Sequence, residues 1–153
     1  MFMEQNPVIL GYLGRALSLE LSAVQQFLAT ARLLEVRQFT SEAERFRHDA
    51  KEEMEHVERI ISRMLSLGCA PNASQLRPTR LEGSLVELIS QALVLEKEIV
   101  NFYQGAVQYC IQANEYEHKL FFEAFYLEEK AHADEAEAWF REVMTKSMAG
   151  IQQ

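Results

Sequence analysis

Apolar residues recur at helical spacing in four long stretches of this chain, and in each stretch one slot of the apolar stripe is taken by a glutamate. The first stripe runs Leu10, Leu13, Leu17, Glu20, Val24, Phe27, Ala31, Leu34. The second runs Phe46, Ala50, Glu53, Val57, Ile60, Met64, Leu67, with His56 flanking it. Leu85, Ile89, Ala92, Glu96, Ile99, Tyr103 and Ala106 form the third. The fourth contains Phe122, Phe125, Glu129, His132, Ala136, Trp139 and Val143. Four long helices are predicted, each turning one carboxylate toward a shared core at mid-length.

Local signals bound these helices. Asn6-Pro7 supplies an N-cap and a proline at the first helical position, and the first helix is expected to reach about Val36. Ser41 with Glu44 reads as a capping box opening the second, which Gly68 ends. Ser84 with Glu87 opens the third in the same way, and Asn114 with Glu117 marks the fourth, expected to run to roughly Lys146. The one long connection, Gly68 to Gly83, contains Pro71 and Pro78. Its residues can reach roughly 50 Å when extended, enough to run back along a helix of about 26 residues near 39 Å long. A crossover between helices 2 and 3 is thus open to the chain, as is an ordinary long turn.

Composition narrows the class. The 153 residues are 48% hydrophobic, ample for the core of one domain spanning 1–153, and with only 6 Gly and 3 Pro they favour helix throughout. A net charge of −8 argues against nucleic acid as a partner and suits attraction of cations. Cys69 and Cys110 lack metal-knuckle or redox spacing, which fits reduced thiols in a cytoplasm. The N-terminus has no basic signal-peptide region, and the apolar run Leu85 to Leu95 is too short and interrupted to span a bilayer. A soluble cytoplasmic protein with no membrane partner is expected.

The six polar residues on the stripes share one arithmetic. Glu20 and Glu53 are 33 residues apart, as are Glu96 and Glu129, and each second glutamate is followed three residues later by histidine, His56 and His132. Three residues turn a helix by roughly 300°, so each Glu-x-x-His pair lies on one face, placed for a single metal. For a lone Glu to sit level with a Glu-x-x-His pair across an antiparallel hairpin, the turn must fall midway. Those midpoints, near Arg37–Gln38 and Ala113–Asn114, are places where the pattern breaks. The similarly spaced set Glu82, Glu115 and His118 fails this test, because its midpoint lies at Ile99, inside an unbroken helical pattern.

Four buried carboxylates with no Lys or Arg on their stripes would cost several kcal/mol each unless compensated. Two divalent cations bring four positive charges against four negative ones. Carboxylate-rich coordination with two imidazoles and no thiolate suits iron or manganese, with zinc as an inert occupant.

The segments Leu19 to Phe27, His48 to His56, Leu93 to Glu96 and Leu127 to His132 resemble bacterioferritin, in the ferritin-like di-iron superfamily, and the resemblance covers nearly the whole chain. It implies an all-α, up-down four-helix bundle with the crossover, and a ferroxidase centre holding two irons per chain, at which Fe(II) is oxidised by dioxygen or peroxide for storage and detoxification. By that pattern Glu53 and Glu129 bridge the metals, Glu20 and Glu96 close the two ends, and His56 and His132 give one nitrogen to each. The resemblance also implies subunits paired about a two-fold axis, a 24-subunit cage in many members, and haem b between paired subunits. Met54 matches the haem's axial methionine, and His48 with Glu52 matches an accessory iron position.

Departures from the family pattern leave alternatives open. Phe27 stands where the family usually has a tyrosine beside the metals. Lys51 and Arg47 lie on the side of Met54 expected to face haem, so Met54 also reads as a surface or dimer-contact methionine, and His48 with Glu52 also reads as a solvated pair. Met144 to Gln153 is short and polar for a fifth helix, and Gly150 is expected to break it, so a homodimer is the minimal assembly expected. A rubrerythrin-like peroxidase or oxygenase would use the same centre, but the chain has no Cys-x-x-Cys module and carries Ile99 where that family adds a glutamate. A haem- or metal-binding assembly subunit without turnover is the further alternative.

Overall fold

The computed structural model describes residues 5–73 and 75–151, and within them four helices and no strand: α1 (Pro7–Val36), α2 (Thr40–Ser66), α3 (Leu85–Gln112) and α4 (Tyr116–Ile151). α1 packs against α2 and α3 against α4, and α1 also meets α3. The two turns fall where the spacing of the glutamates requires. Gln38 and Asn114 take the left-handed conformation, with φ of 69° and 59°, and each closes its preceding helix.

The direction of the long connection is decided by contacts at the helix ends. Arg37, at the end of α1, donates to the Gly83 carbonyl just before α3 at 2.7 Å. At the other end, Asn6 donates to the Tyr109 hydroxyl at 2.9 Å. α1 and α3 are therefore antiparallel, and residues 67–84 cross the length of the bundle. The crossover is fastened along α1: the Arg77 amide donates to the Ser22 hydroxyl at 3.0 Å, while Gln26 donates to the Arg80 carbonyl and accepts from the Arg80 amide, both at 2.8 Å. α1 is apolar enough over part of its length to cross a membrane by composition, but half of that window is buried inside the bundle.

Several boundaries differ from expectation. Ser41 forms no capping box. α2 begins at Thr40 with Phe39 at its N-cap position, two residues before the expected cap, and the Ser41 hydroxyl bonds Glu42 instead. Here the Phe39 amide still donates to the Leu34 carbonyl while its own carbonyl already accepts from Ala43, so one helix passes into the next without a side-chain cap. Asn114 is the turn residue rather than a cap, and Glu115 accepts the first backbone bond of α4. α4 also continues through Gly150 to Ile151, past the expected end at Lys146 and without the break expected there. Asn6 and Ser84 cap α1 and α3 as the sequence indicates.

Candidate metal centre

The stripes converge at mid-bundle. Glu20, Glu53, Glu96 and Glu129 are 0%, 1%, 3% and 0% exposed, an extreme burial for four carboxylates with no Lys or Arg among them. Oxygen or nitrogen atoms of Glu20, Glu53, His56 and Glu129 all lie within 4.8 Å of one another. His56 Nδ1 is 2.8 Å from Glu129 Oε1, 3.5 Å from Glu20 Oε2 and 3.6 Å from Glu53 Oε2. His132 Nδ1 is 3.3 Å from Glu53 Oε1 and 3.9 Å from Glu129 Oε2. Glu53 and Glu129 thus each face both histidines, and the two imidazoles stand nearly parallel, 6.1 Å apart.

The fourth carboxylate is placed differently. Glu96 falls outside the tight group, beside a narrow cleft shared with Asp49, Arg45, His132 and Trp139. Asp49 was not singled out by sequence, because it lies off the α2 stripe, one residue from Ala50. A concavity of about 780 Å³ beside Arg15, Arg77 and Phe102 includes none of the six residues and is a surface groove against the crossover.

Other side chains brace the cluster. Tyr103, fully buried, donates its hydroxyl to Glu20 Oε1 at 2.7 Å. In the sequence it reads only as a core position. The available signal was a polar-tipped aromatic seven residues after Glu96 on the same stripe. Phe27 is fully buried against Phe46, so no phenol approaches from that position. Nε2 of His132 meets Glu52 Oε2 at 2.5 Å, and Nε2 of His56 faces Glu128 Oε2 at 3.6 Å, where Arg59 also holds Glu128 at 2.8 Å. The other oxygen of Glu52 lies 2.9 Å from the exposed His48. His118, set aside by the midpoint test, sits apart from the cluster and bonds Arg63 at 3.1 Å. Met54 is 39% exposed on α2, and Arg47 is taken up by ion pairs with Glu35 and Glu44.

Electrostatics describe a site that holds protons in the absence of metal. Burial, reinforced by the charge of Glu53, pushes Glu20 up to about 8. Burial likewise raises Glu96 well above the usual range, with Asp49, Glu53 and Glu129 adding to it, and raises Glu129. For His56 burial acts to lower the value, but the surrounding carboxylates of Glu129, Glu20 and Glu53 outweigh it and push the imidazole up to about 12. Its bond to Glu53 raises His132 to about 9. Yet Glu20 Oε2, Glu53 Oε2, His56 Nδ1, Glu96 Oε2 and both Glu129 oxygens have no hydrogen-bond partner. The 2.8 Å approach of His56 to Glu129 is therefore a charge contact without hydrogen-bond alignment. Six inward-facing buried donor atoms without partners are what a pair of hard or borderline divalent cations would satisfy.

The ferritin-like domain matches residues 10–145. The chain is similar to the bacterioferritin of Rhodobacter capsulatus, 30% identical over 86% of this chain and 82% of that one. It is also similar to the bacterioferritins of Brucella melitensis, 29% identical over the same shares, and of Mycolicibacterium paratuberculosis, 29% identical over 86% and 83%. Among solved structures, one of Rhodobacter capsulatus bacterioferritin, described as having a metal-free dinuclear site and its haem iron in a crystallographic special position, superposes with a TM-score of 0.85. That match is 29% identical and covers 91% of this chain and 87% of that one.

Proposed function

This chain belongs to the ferritin-like family, in its bacterioferritin branch, and from that membership we propose that it is a ferroxidase oxidising Fe(II) at the Glu20, Glu53, His56, Glu96, Glu129, His132 cluster. The observation that carries the reading is a set of six buried, unpartnered donor atoms, five of them on the gathered residues Glu20, Glu53, His56 and Glu129 and the sixth on Glu96. Such atoms are costly unless cations satisfy them.

Fe(II) is the substrate. Two ferrous ions give one electron each, so with two protons they reduce dioxygen to hydrogen peroxide, or peroxide to water. Glu53 and Glu129, each facing both histidines, would be shared by the two ions, while Glu20 with His56 and Glu96 with His132 would each hold one. The protons held on Glu20, His56 and His132 leave as metal enters, keeping the buried site near neutral. His48 and the outer oxygen of Glu52 form an accessory position for incoming iron directly outside His132. Ile99, fully buried and apolar, offers no added carboxylate of the rubrerythrin kind.

The assembly is a cytoplasmic homo-oligomer of paired subunits. Leu28, exposed on α1, and Met54 on α2 leave apolar surface to cover. Met54, exposed on α2, suits a haem iron, and one thioether from each paired subunit would supply soft axial ligation that raises the haem potential. Iron analysis of apo-protein loaded anaerobically with Fe(II) tests the site. Two tightly held irons per chain are expected, and fewer than one would sink the assignment.

A further inference from the structure

The two halves of the cluster match in residue type but not in how they are held. Around Glu20 and His56 the donors are already assembled: Glu20, Glu53, His56 and Glu129 lie within 4.8 Å, all buried. One oxygen of Glu20 is fixed by the Tyr103 hydroxyl at 2.7 Å, which leaves Oε2 alone pointing at His56. The Tyr103 ring is in turn stacked on Phe125 at 5.3 Å, and Phe125 meets the edge of His56 at 5.0 Å. Glu96, on the other side, makes no side-chain hydrogen bond through Oε2 and stands outside the tight group. Glu96 and His132 both border the cleft at Asp49 and Arg45, and His132 is 19% exposed against 5% for His56. A donor set fixed in place loses less freedom on binding than one that must be gathered by the ion.

Resting on the di-metal reading above, we propose that the Tyr103 hydroxyl is a positioning group for the Glu20–His56 metal position, making it the tighter of the two and the first to fill. Tyr103 touches no metal. It acts through Glu20, holding one oxygen so that the other is presented as a single donor.

Calorimetric titration of apo-protein with Zn(II), which binds without oxidation, reads this directly. The wild type should show two phases of one metal per chain, separated in affinity by about tenfold or more. Tyr103→Phe removes the hydroxyl and keeps the ring, so it should weaken the tighter phase by about tenfold and leave the weaker one unchanged. Glu20→Gln should abolish the tighter phase and Glu96→Gln the weaker. A role of Tyr103 in packing alone would lower the melting temperature and shift neither phase. Two equal phases in the wild type, loss of the tighter phase in Glu96→Gln, or a Tyr103→Phe effect on both phases alike would each overturn the proposal. Should Tyr103→Phe fail to fold, the two glutamine variants still decide the order of filling. Absence of any Zn(II) binding by the wild type would overturn the di-metal reading as well.

Discussion

His132 on α4 and Glu52 on α2 are joined at 2.5 Å, Nε2 to Oε2, and the same relation recurs in reverse where His56 on α2 faces Glu128 on α4. Glu52 and Glu128 each immediately precede a bridging glutamate, so each helix that contributes a Glu-x-x-His pair also contributes the carboxylate behind the other helix's histidine. A carboxylate at Nε2 fixes the tautomer and turns Nδ1 toward the metals. Glu52→Ala should therefore lower affinity for one of two Zn(II) ions by about tenfold or more, through His132. Glu128→Ala, acting at 3.6 Å, should do less at His56. Competition with a chromophoric zinc chelator measures both, and a larger effect from Glu128 would contradict the geometry.

Protons in the empty cluster make the apo-protein sensitive to alkali. Glu20 binds its proton more tightly folded, near 8 against 4.5, and so does His132, near 9 against 6.5. The folded state then holds more protons than the unfolded one between those limits, and stability falls as pH rises. The contribution of Glu20 is complete below 4.5 and gone above 8, and that of His132 is complete below 6.5 and gone above 9. The apo-protein's Tm should decline from pH 5 to pH 9, and the decline should flatten once metal replaces the protons. Thermal melts across that range, with and without Zn(II), provide the check.

Glu96 trades stability for function. Its buried, unpartnered Oε2 costs about 1–2 kcal/mol, and Leu in its place would fill similar volume without that cost. Glu96→Leu should raise the apo Tm by roughly 3–6 °C while removing one metal per chain. Differential scanning calorimetry paired with metal analysis gives both numbers, and a lower Tm with two metals retained would refute the idea.

Much of this was legible in the sequence because helical periodicity carries it. Glu20, Glu53, Glu96 and Glu129 take apolar slots, and their spacing alone puts the turns near Gln38 and Asn114, where the structure has them. What was not legible depends on partners far along the chain. The crossover is fixed by Arg37 reaching Gly83 and Asn6 reaching Tyr109, pairings that no local pattern encodes. Tyr103 reads as core until Glu20, 83 residues earlier, is found at its hydroxyl. Glu52 and Glu128 read as solvated helix formers because their histidines lie on another helix. Ser41 misled for a local reason, since its capping box competed with a backbone hand-over from Leu34 through Phe39 to Ala43.

Haem is testable at Met54, an exposed residue on α2. Protein produced with ample haem should carry a Soret band that Met54→Ala abolishes while metal loading of the cluster is retained. A band indifferent to that substitution would place haem elsewhere.

The central claim is oxidation of two Fe(II) per chain at the buried cluster, and stopped-flow titration of apo-protein with Fe(II) in air tests it most directly. The account predicts a rapid oxidation phase that saturates at two irons per chain and slows by more than about tenfold in Glu53→Ala and in His132→Ala, since each removes a donor that faces the shared space. A rapid phase that saturates elsewhere, or that survives both substitutions, would contradict it.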